Sequence, residues 1–446
     1  QYLLYLCIRV TALRYRFVGY KLQGINVKKD KMNSETIFII IVVFLCLDFV
    51  LERVLEYVNS KHMSPVLPDS LKGIYDEKEY GRFQAYKREN GRLDSWSSGF
   101  SFIVMIVFLV AGGFGWYNGW VVAWTDSIVL QTILFVVGLS LVSSVLDIPF
   151  DYYATFRIEE KYGFNKTTRR VYWLDTVKEL LLSLVLGCVL LALVVWFYTW
   201  AGPYFWLYAW GAVTVFSVFM VMFYSQLIVP LFNKQTPLQE GSLRDKIRAF
   251  AEKVGFKLDN IYVIDGSKRS TKANAYFTGL GPKKRVVLYD TLIDDLTEEE
   301  LVAVLAHEIG HYRKRHTLRS MGVSILQMGI ILWLFSLCVN CAALSEALGG
   351  DRAYFQLGLI AFAILYSPVS LVLGIGMNVW SRHNEYEADG FAARNYEGAY
   401  LVSGLKKISV KSLSNLTPHP LYEYIYYSHP SLLKRIGAIN VFKNKI

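Results

Sequence analysis

Residues 354–381, YFQLGLIAFAILYSPVSLVLGIGMNVWS, contain no charged side chain, and the polar run RHNEYEAD (382–389) follows at once. A helix needs about 20 mostly apolar residues to cross the hydrocarbon core of a bilayer, so this stretch predicts a membrane span. Residues 319–345 read the same way, with no charge between Met321 and Leu344. The same window, moved towards the N-terminus, finds 36–57, 97–117, 127–149, 179–200 and 203–229, seven spans in all. The first holds Asp48, Glu52 and Arg53, which must then face protein or a watery cavity rather than lipid. The expected fold is mainly α: a seven-transmembrane-helix membrane protein with a small α+β cytoplasmic region.

Composition agrees. Hydrophobic residues make up 54% and charged residues 19%, against about 25% charged in an ordinary soluble domain. The net charge of +10 would suit nucleic-acid binding in a soluble protein. Here the basic residues crowd into alternate loops, which excludes that class. Loop 58–96 carries seven Lys/Arg, loop 150–178 six, and loop 230–318 many; loop 118–126 and the turn Ala201-Gly202 carry none, and loop 346–353 only Arg352. Positive charge accumulates on the cytoplasmic side, so the odd loops and the C-terminus are expected there. Residues 1–31 break the pattern with seven Lys/Arg on the other side; the expectation is that Met32 is the natural start and 1–31 an upstream extension. The five cysteines follow no metal or disulfide spacing, Cys338 and Cys341 falling within a span.

The expected organisation is therefore spans one to five in 32–229, an extramembrane region in 230–318, spans six and seven in 319–381, and its remainder in 382–446. Within it, Glu240–Gly255 has helical periodicity, and Asn260–Asp265, Ala275–Thr278 and Arg285–Tyr289 read as short strands between Gly and Lys turns. Thr297-Glu-Glu-Glu reads as a capping box that opens another helix.

That helix carries His307-Glu308-Ile309-Gly310-His311. Helical residues four apart share a face, so the two imidazoles can bind one metal ion with Glu308 beside its open position. A hydrolytic zinc keeps three protein ligands and a water. Glu385 is the candidate third ligand, and Asp389, four residues on, can accept the other N–H of a ligand histidine and fix its tautomer. Glu387, His383 and His316 are alternative ligands by spacing, although His316 lies five residues past His311 and leaves the shared face. The chemistry implied is peptide hydrolysis, with one zinc ion per chain and Glu308 as general base.

Further motifs carry a family resemblance. FRIEEKYGFNKTT (156–168), IVPLFNK (228–234), NAYF (274–277), RVVLYDT (285–291), Glu385-x-x-Ala-Asp389 and SHPSLLKR (428–435) occur in this order with the HEIGH helix. Together they resemble the type I CAAX prenyl proteases, from about Pro65 to the C-terminus; the stretch 69–92 is similar only loosely. The resemblance implies seven spans around an internal chamber and His307, His311 and Glu385 as zinc ligands. It also implies Glu308 as base, Asp389 behind the ligands, and His429 and Arg435 as stabilisers of the tetrahedral oxyanion. Asn274 would sit on an edge strand that binds substrate backbone. The partners expected are a peptide or protein substrate, prenylated or not, and the lipid bilayer, with no nucleic acid. The location expected is the endoplasmic reticulum or a bacterial inner membrane. A four-span quality-control protease shares the zinc chemistry but not the span count. A site-two protease would bury HExxH within a span, whereas Glu298–Glu300 and Arg313–Arg315 flank it here. A transporter or a pseudopeptidase scaffold is the non-enzyme alternative, and the intact base and ligands argue against it.

Overall fold

The computed structural model describes residues 28–63, 66, 69, 72–74, 76–256, 261–278 and 285–443; most of the expected extension 1–31, and Cys7, lie outside them. Helix α1 (Lys28–His62) carries the first apolar run. The Asp76 carboxylate accepts the Glu79 N–H at 2.7 Å and starts α2 (Glu77–Val110). Gly112, at φ 72°, then breaks the chain before α3 (Gly113–Trp124). Ser127 caps α4 (Ile128–Tyr153), which continues as a π-helical turn, Ala154–Glu159. Thr168 caps α5 (Arg169–Ala201), and Gly202 (φ 53°) turns the chain into α6 (Phe205–Leu227).

The extramembrane region opens with β1 (Gln235–Pro237), α7 (Ser242–Lys253), β2 (Ile261–Ile264), β3 (Ala275–Thr278) and β4 (Arg285–Tyr289). The sheet order is β1-β2-β4-β3; β2 and β4 run parallel and the outer pairs antiparallel. Helices α8 (Asp290–Asp295) and α9 (Glu298–Arg313) follow, then α10 (His316–Cys338), α11 (Ala342–Ala347) and α12 (Phe355–Asn395). The chain ends in α13 (Gly398–Lys411), α14 (Pro420–Tyr426) and α15 (Leu432–Lys443).

Among the described residues, five helical stretches are long and apolar enough to cross a membrane: Glu77–Val110, Ile128–Glu159, Arg169–Leu231, His316–Cys338 and Phe355–Asn395. The third contains the turn at Gly202 and so holds two of the expected runs. Only 6–17% of each apolar window is buried inside the protein, so the helices do not pack as a solid bundle. Leu181, Val185 and Val189 of α5 stand exposed, as lipid-facing side chains do.

Several boundaries move. The run 97–117 is not one helix, because Gly112 takes a left-handed conformation that only glycine adopts freely; the polar residues 77–96 instead extend α2 upstream. The run 319–345 stops at Cys338 and turns before α11. The helix of the last apolar run does not end at Ser381 but continues unbroken from Phe355 to Asn395, with Pro368 inside it. The three expected strands are present, the first shorter than its reading; β1 was not foreseen, since three residues are too few to show alternation.

The core of the extramembrane region draws on both ends of the chain. Ile247 and Phe250 of α7, Leu288 of β4, Leu301, Leu305 and Ile309 of α9, Ala392 of α12, Leu401 of α13 and Ile439 of α15 form one cluster. The capping box is complete: Thr297 Oγ1 accepts the Glu300 N–H, and Glu300 Oε2 accepts the Thr297 N–H at 2.9 Å. The same carboxylate takes Ser403 and Lys407, tying the start of α9 to α13.

Helices α9 and α12 pack along their lengths. At Gly310 a Cβ would stand 3.1 Å from both the Ala388 Cα and its carbonyl oxygen, so the backbones touch where a larger residue would hold them apart. Overpacking of this kind costs about 1–3 kcal/mol. Gly310→Ala is expected to destabilise the fold by that amount and to weaken zinc binding, although residue 310 is no ligand. Equal zinc affinity in a calorimetric titration of that variant would show that the approach of the two helices does not set the site.

Candidate metal centre and active site

Helix α9 brings His307 and His311 onto one face, and α12 lays Glu385 across from them. His307 Nε2 and His311 Nε2 lie 3.1 Å apart. Glu385 Oε1 is 3.2 Å from His311 Nε2, and Glu385 Oε2 is 3.5 Å from His307 Nε2. A tetrahedral zinc with ligands at about 2.0–2.1 Å keeps its ligand atoms roughly 3.3 Å apart, and these separations straddle that value. Among the described residues this is the one group of three such side chains placed to hold a metal ion. Glu385 is 3% exposed, yet among the described residues its Oε2 accepts no well-formed hydrogen bond; His429 Nδ1 at 3.1 Å, and His307 Nε2 and Arg435 Nη1 at 3.5 Å, are the nitrogens nearest it. An anionic oxygen so placed suits a metal ligand.

The far side of each imidazole is also held. His307 Nδ1 is 2.8 Å from Asp389 Oδ1; donating its proton there leaves the Nε2 lone pair facing the cluster. Asp389 is fully buried and takes two bonds from Arg435, Nη2 to Oδ1 at 2.6 Å and Nε to Oδ2 at 2.9 Å. Arg435 therefore spends two of its nitrogens on Asp389 and turns Nη1 towards Glu385. His311 Nδ1 is 3.0 Å from His316 Nδ1, and His316 Nε2 is 3.0 Å from Glu387 Oε2. Two of the three residues considered as alternative ligands, His316 and Glu387, thus form a relay behind His311. Spacing missed this because Arg315 adopts φ 56° and folds α10 back at His316. The Lys314-Arg315 pair between two helical histidines was the available signal.

A cavity of about 440 Å³ opens on these groups. The half-buried Glu308 lines it, as do the exposed His429 and residues 273–275, which lead into β3. Asn274 lies just before β3, whose outer edge has no strand partner among the described residues. Its carbonyl accepts the Tyr289 N–H at 3.1 Å, and its Oδ1 accepts the Ala275 N–H at 2.9 Å. The loop FRIEEKYGFNK supports this edge from below: Glu159 Oε1 takes Tyr86 Oη at 2.5 Å and Lys272 Nζ at 3.1 Å. Asn384, buried beside Glu385, also lines the cavity, with an Oδ1 that has no hydrogen-bond partner among the described residues; nothing in the sequence had singled it out. His383 stays outside this cluster.

Apolar helices carrying a buried His-His-Glu site at one end, with an acid one residue past the first histidine, define a membrane-embedded metallopeptidase. Two family models match in succession. Residues 56–234 match the CAAX prenyl protease N-terminal region with five membrane helices, and residues 237–442 match peptidase family M48. A CAAX prenyl protease 1 homolog of Oryza sativa subsp. japonica is 34% identical over 405 residues, covering 89% of this chain and 95% of that one. CAAX prenyl protease 1 of Saccharomyces cerevisiae is 31% identical over 429 residues, covering 90% and 95%. The crystal structure of S. mikatae Ste24p superposes with a TM-score of 0.86 at 31% identity, over 91% of this chain and 99% of that one. The chain belongs to the CAAX prenyl protease 1 family of M48 metallopeptidases, and is an integral membrane enzyme.

Two outcomes follow from the hydrogen bonds behind the imidazoles. Asp389→Asn removes the anion that orients His307 and leaves Arg435 without its counter-charge; zinc affinity is expected to fall 10–100-fold, as read by competition with a chelator. Burial alone would lower the His307 pKa, but the bonds to Asp389 and Glu385 outweigh it and raise it to about 9. In the zinc-free protein that bond stabilises the fold fully below about pH 6.5, the unfolded value, and the contribution is lost as pH rises through 9. Zinc needs the neutral ring, so its affinity is expected to rise up to tenfold per pH unit towards pH 9, with a proton released on binding. A pH-independent affinity between 6.5 and 8.5 would show that His307 is already neutral.

Proposed function

We propose that the chain is a zinc-dependent endopeptidase that trims the C-terminal peptide from CAAX-type membrane-associated substrates, prenylated ones among them. The observation that carries this is the convergence of His307, His311 and Glu385 within 4.8 Å, with Glu308 on the wall of the same cavity. The CAAX prenyl protease relatives supply the substrate class.

His307, His311 and Glu385 would hold a zinc ion, which when bound would supply an electrophile and acidify the attacking water. Glu308 takes the proton of the attacking water and passes it to the leaving amine. His429, exposed at the mouth, and Nη1 of Arg435, which is not taken by Asp389, supply donors for negative charge developing on the scissile carbonyl oxygen. Asp389 holds His307 and Arg435 in place. The open edge at Asn274 and Ala275 takes the substrate backbone as an added strand, which orients the peptide without reading its side chains.

The topology that fits this chemistry has seven spans: α1, the five long apolar stretches, and the extra crossing made by the turn at Gly202. The basic loops support a cytoplasmic peptidase region and C-terminus, and the sparse burial of the apolar windows suits a chamber between the helices. The endoplasmic reticulum suits an enzyme acting on proteins already prenylated in the cytoplasm.

Glu308→Gln is expected to retain one zinc per chain and to lose peptide hydrolysis by several orders of magnitude. Full activity in that variant would overturn the mechanism. On the wild type, a farnesylated peptide ending in Cys-aliphatic-aliphatic-X is expected to be cut faster than its unmodified counterpart; equal rates would favour a quality-control protease instead.

A further inference from the structure

A second cavity, of about 500 Å³, lies at the β1–β2 end of the sheet and shares no lining residue with the catalytic one. Four cations line it: Lys178 of α5, Lys234 just before β1, Lys268 after β2, and Arg285 at the start of β4. Against them stands one carboxylate, Asp265, and it is already engaged. Its Oδ1 accepts the Lys234 backbone N–H at 2.7 Å and Asn233 Nδ2 at 3.1 Å. Among the described residues, the side chains of Lys234, Lys268 and Arg285 pair with no acid. Lys178 Nζ donates to the Leu231 carbonyl at 2.9 Å and sits 3.9 Å from Asp175. The Arg285 guanidinium lies 4.6 Å above the Tyr262 ring, which holds its planar fork in a fixed attitude. Four cations around one hollow repel one another unless an anion joins them.

The position of the hollow narrows the anion. Leu231 and Phe232 on its wall directly follow the apolar stretch Arg169–Leu231, and Lys178 lies in the first part of the same stretch. The cavity therefore opens at the depth where lipid headgroups meet water. Arg and Lys in this combination suit phosphate, the guanidinium by paired hydrogen bonds and the ammonium groups as point charges.

We propose that this cavity is a binding site for a phosphate monoester group, held by Lys234, Lys268 and Arg285 with Lys178 at its membrane side. The group can reach it on a lipid headgroup or as a free phosphate, and the test separates these. The full-length protein is placed in phosphatidylcholine nanodiscs with and without phosphatidylinositol 4-phosphate, and retained lipid is counted by native mass spectrometry. Each surface cation contributes roughly fivefold near a membrane. Lys234→Ser/Lys268→Ser/Arg285→Gln is thus expected to lose phosphatidylinositol 4-phosphate retention at least tenfold while still hydrolysing peptide. The charge-matched control Arg169→Gln/Arg170→Gln/Arg248→Gln is expected to change it less than twofold. Displacement of the lipid by millimolar inorganic phosphate would assign a free phosphate as ligand, and no displacement would assign the headgroup. Equal loss in both triple variants, or no preference for the phosphorylated lipid over phosphatidylcholine, would overturn the site. Should the triple variant fail to accumulate, Lys268→Ser, at an exposed turn, is expected to lose retention two- to fivefold, and unchanged retention there would also overturn it.

Discussion

Gly310 lets α9 and α12 approach until a Cβ at that position would press on the Ala388 backbone at 3.1 Å, and the metal-binding geometry depends on this approach. His307 and His311 flank that glycine on one helix, while Glu385 and Asp389 flank the alanine on the other. Two rigid rods packed this closely at Gly310, each bearing its donors within a turn of that approach, leave little freedom in the donor separations. Much of the surrounding hydrophobic cluster holds these rods together: Leu305 and Ile309 from one side, Ala392 from the other, with α13 and α15 closing over them.

Burial makes the electrostatics of the site consequential. Asp389 is fully enclosed and Arg435 nearly so, and in such surroundings an unpaired charge is costly. Their double hydrogen bond neutralises both and leaves each with a task, one on His307 and the other towards Glu385. On the opposite flank, Glu387 and His316 do for His311 what Asp389 does for His307. Both imidazoles are thereby oriented from behind by an acid, one directly and one through a second ring.

The sequence made much of this readable for identifiable reasons. A run without charge from Ala353 to Ser381 can do little but cross a membrane, and residues four apart on a helix must share a face; the apolar stretches, the HEIGH helix and the candidate Glu385 all follow. The capping box at Thr297 and the strands around Val287 were legible because their signals are local. What stayed hidden depends on contact across the chain or on backbone sign: the left-handed Arg315 that turns His316 inward, the break at Gly112, and the three-residue β1. That Arg435 belongs near the site was expected only through family resemblance, since nothing near it in sequence suggests that it bonds to Asp389.

Helix α12 is one unbroken rod from Phe355 to Asn395, and this sets the order in which the site can come into being. A ribosome delivers His307 and His311 early, then the two spans of the hairpin, then Glu385, and the arginine that steadies Asp389 almost last. An unfinished chain holds two imidazoles and no third ligand, so zinc has no firm hold until both spans are through. The side chains that would bind the metal are thus incomplete until the last spans and helices have been made, and assembly of the site falls at the end of synthesis.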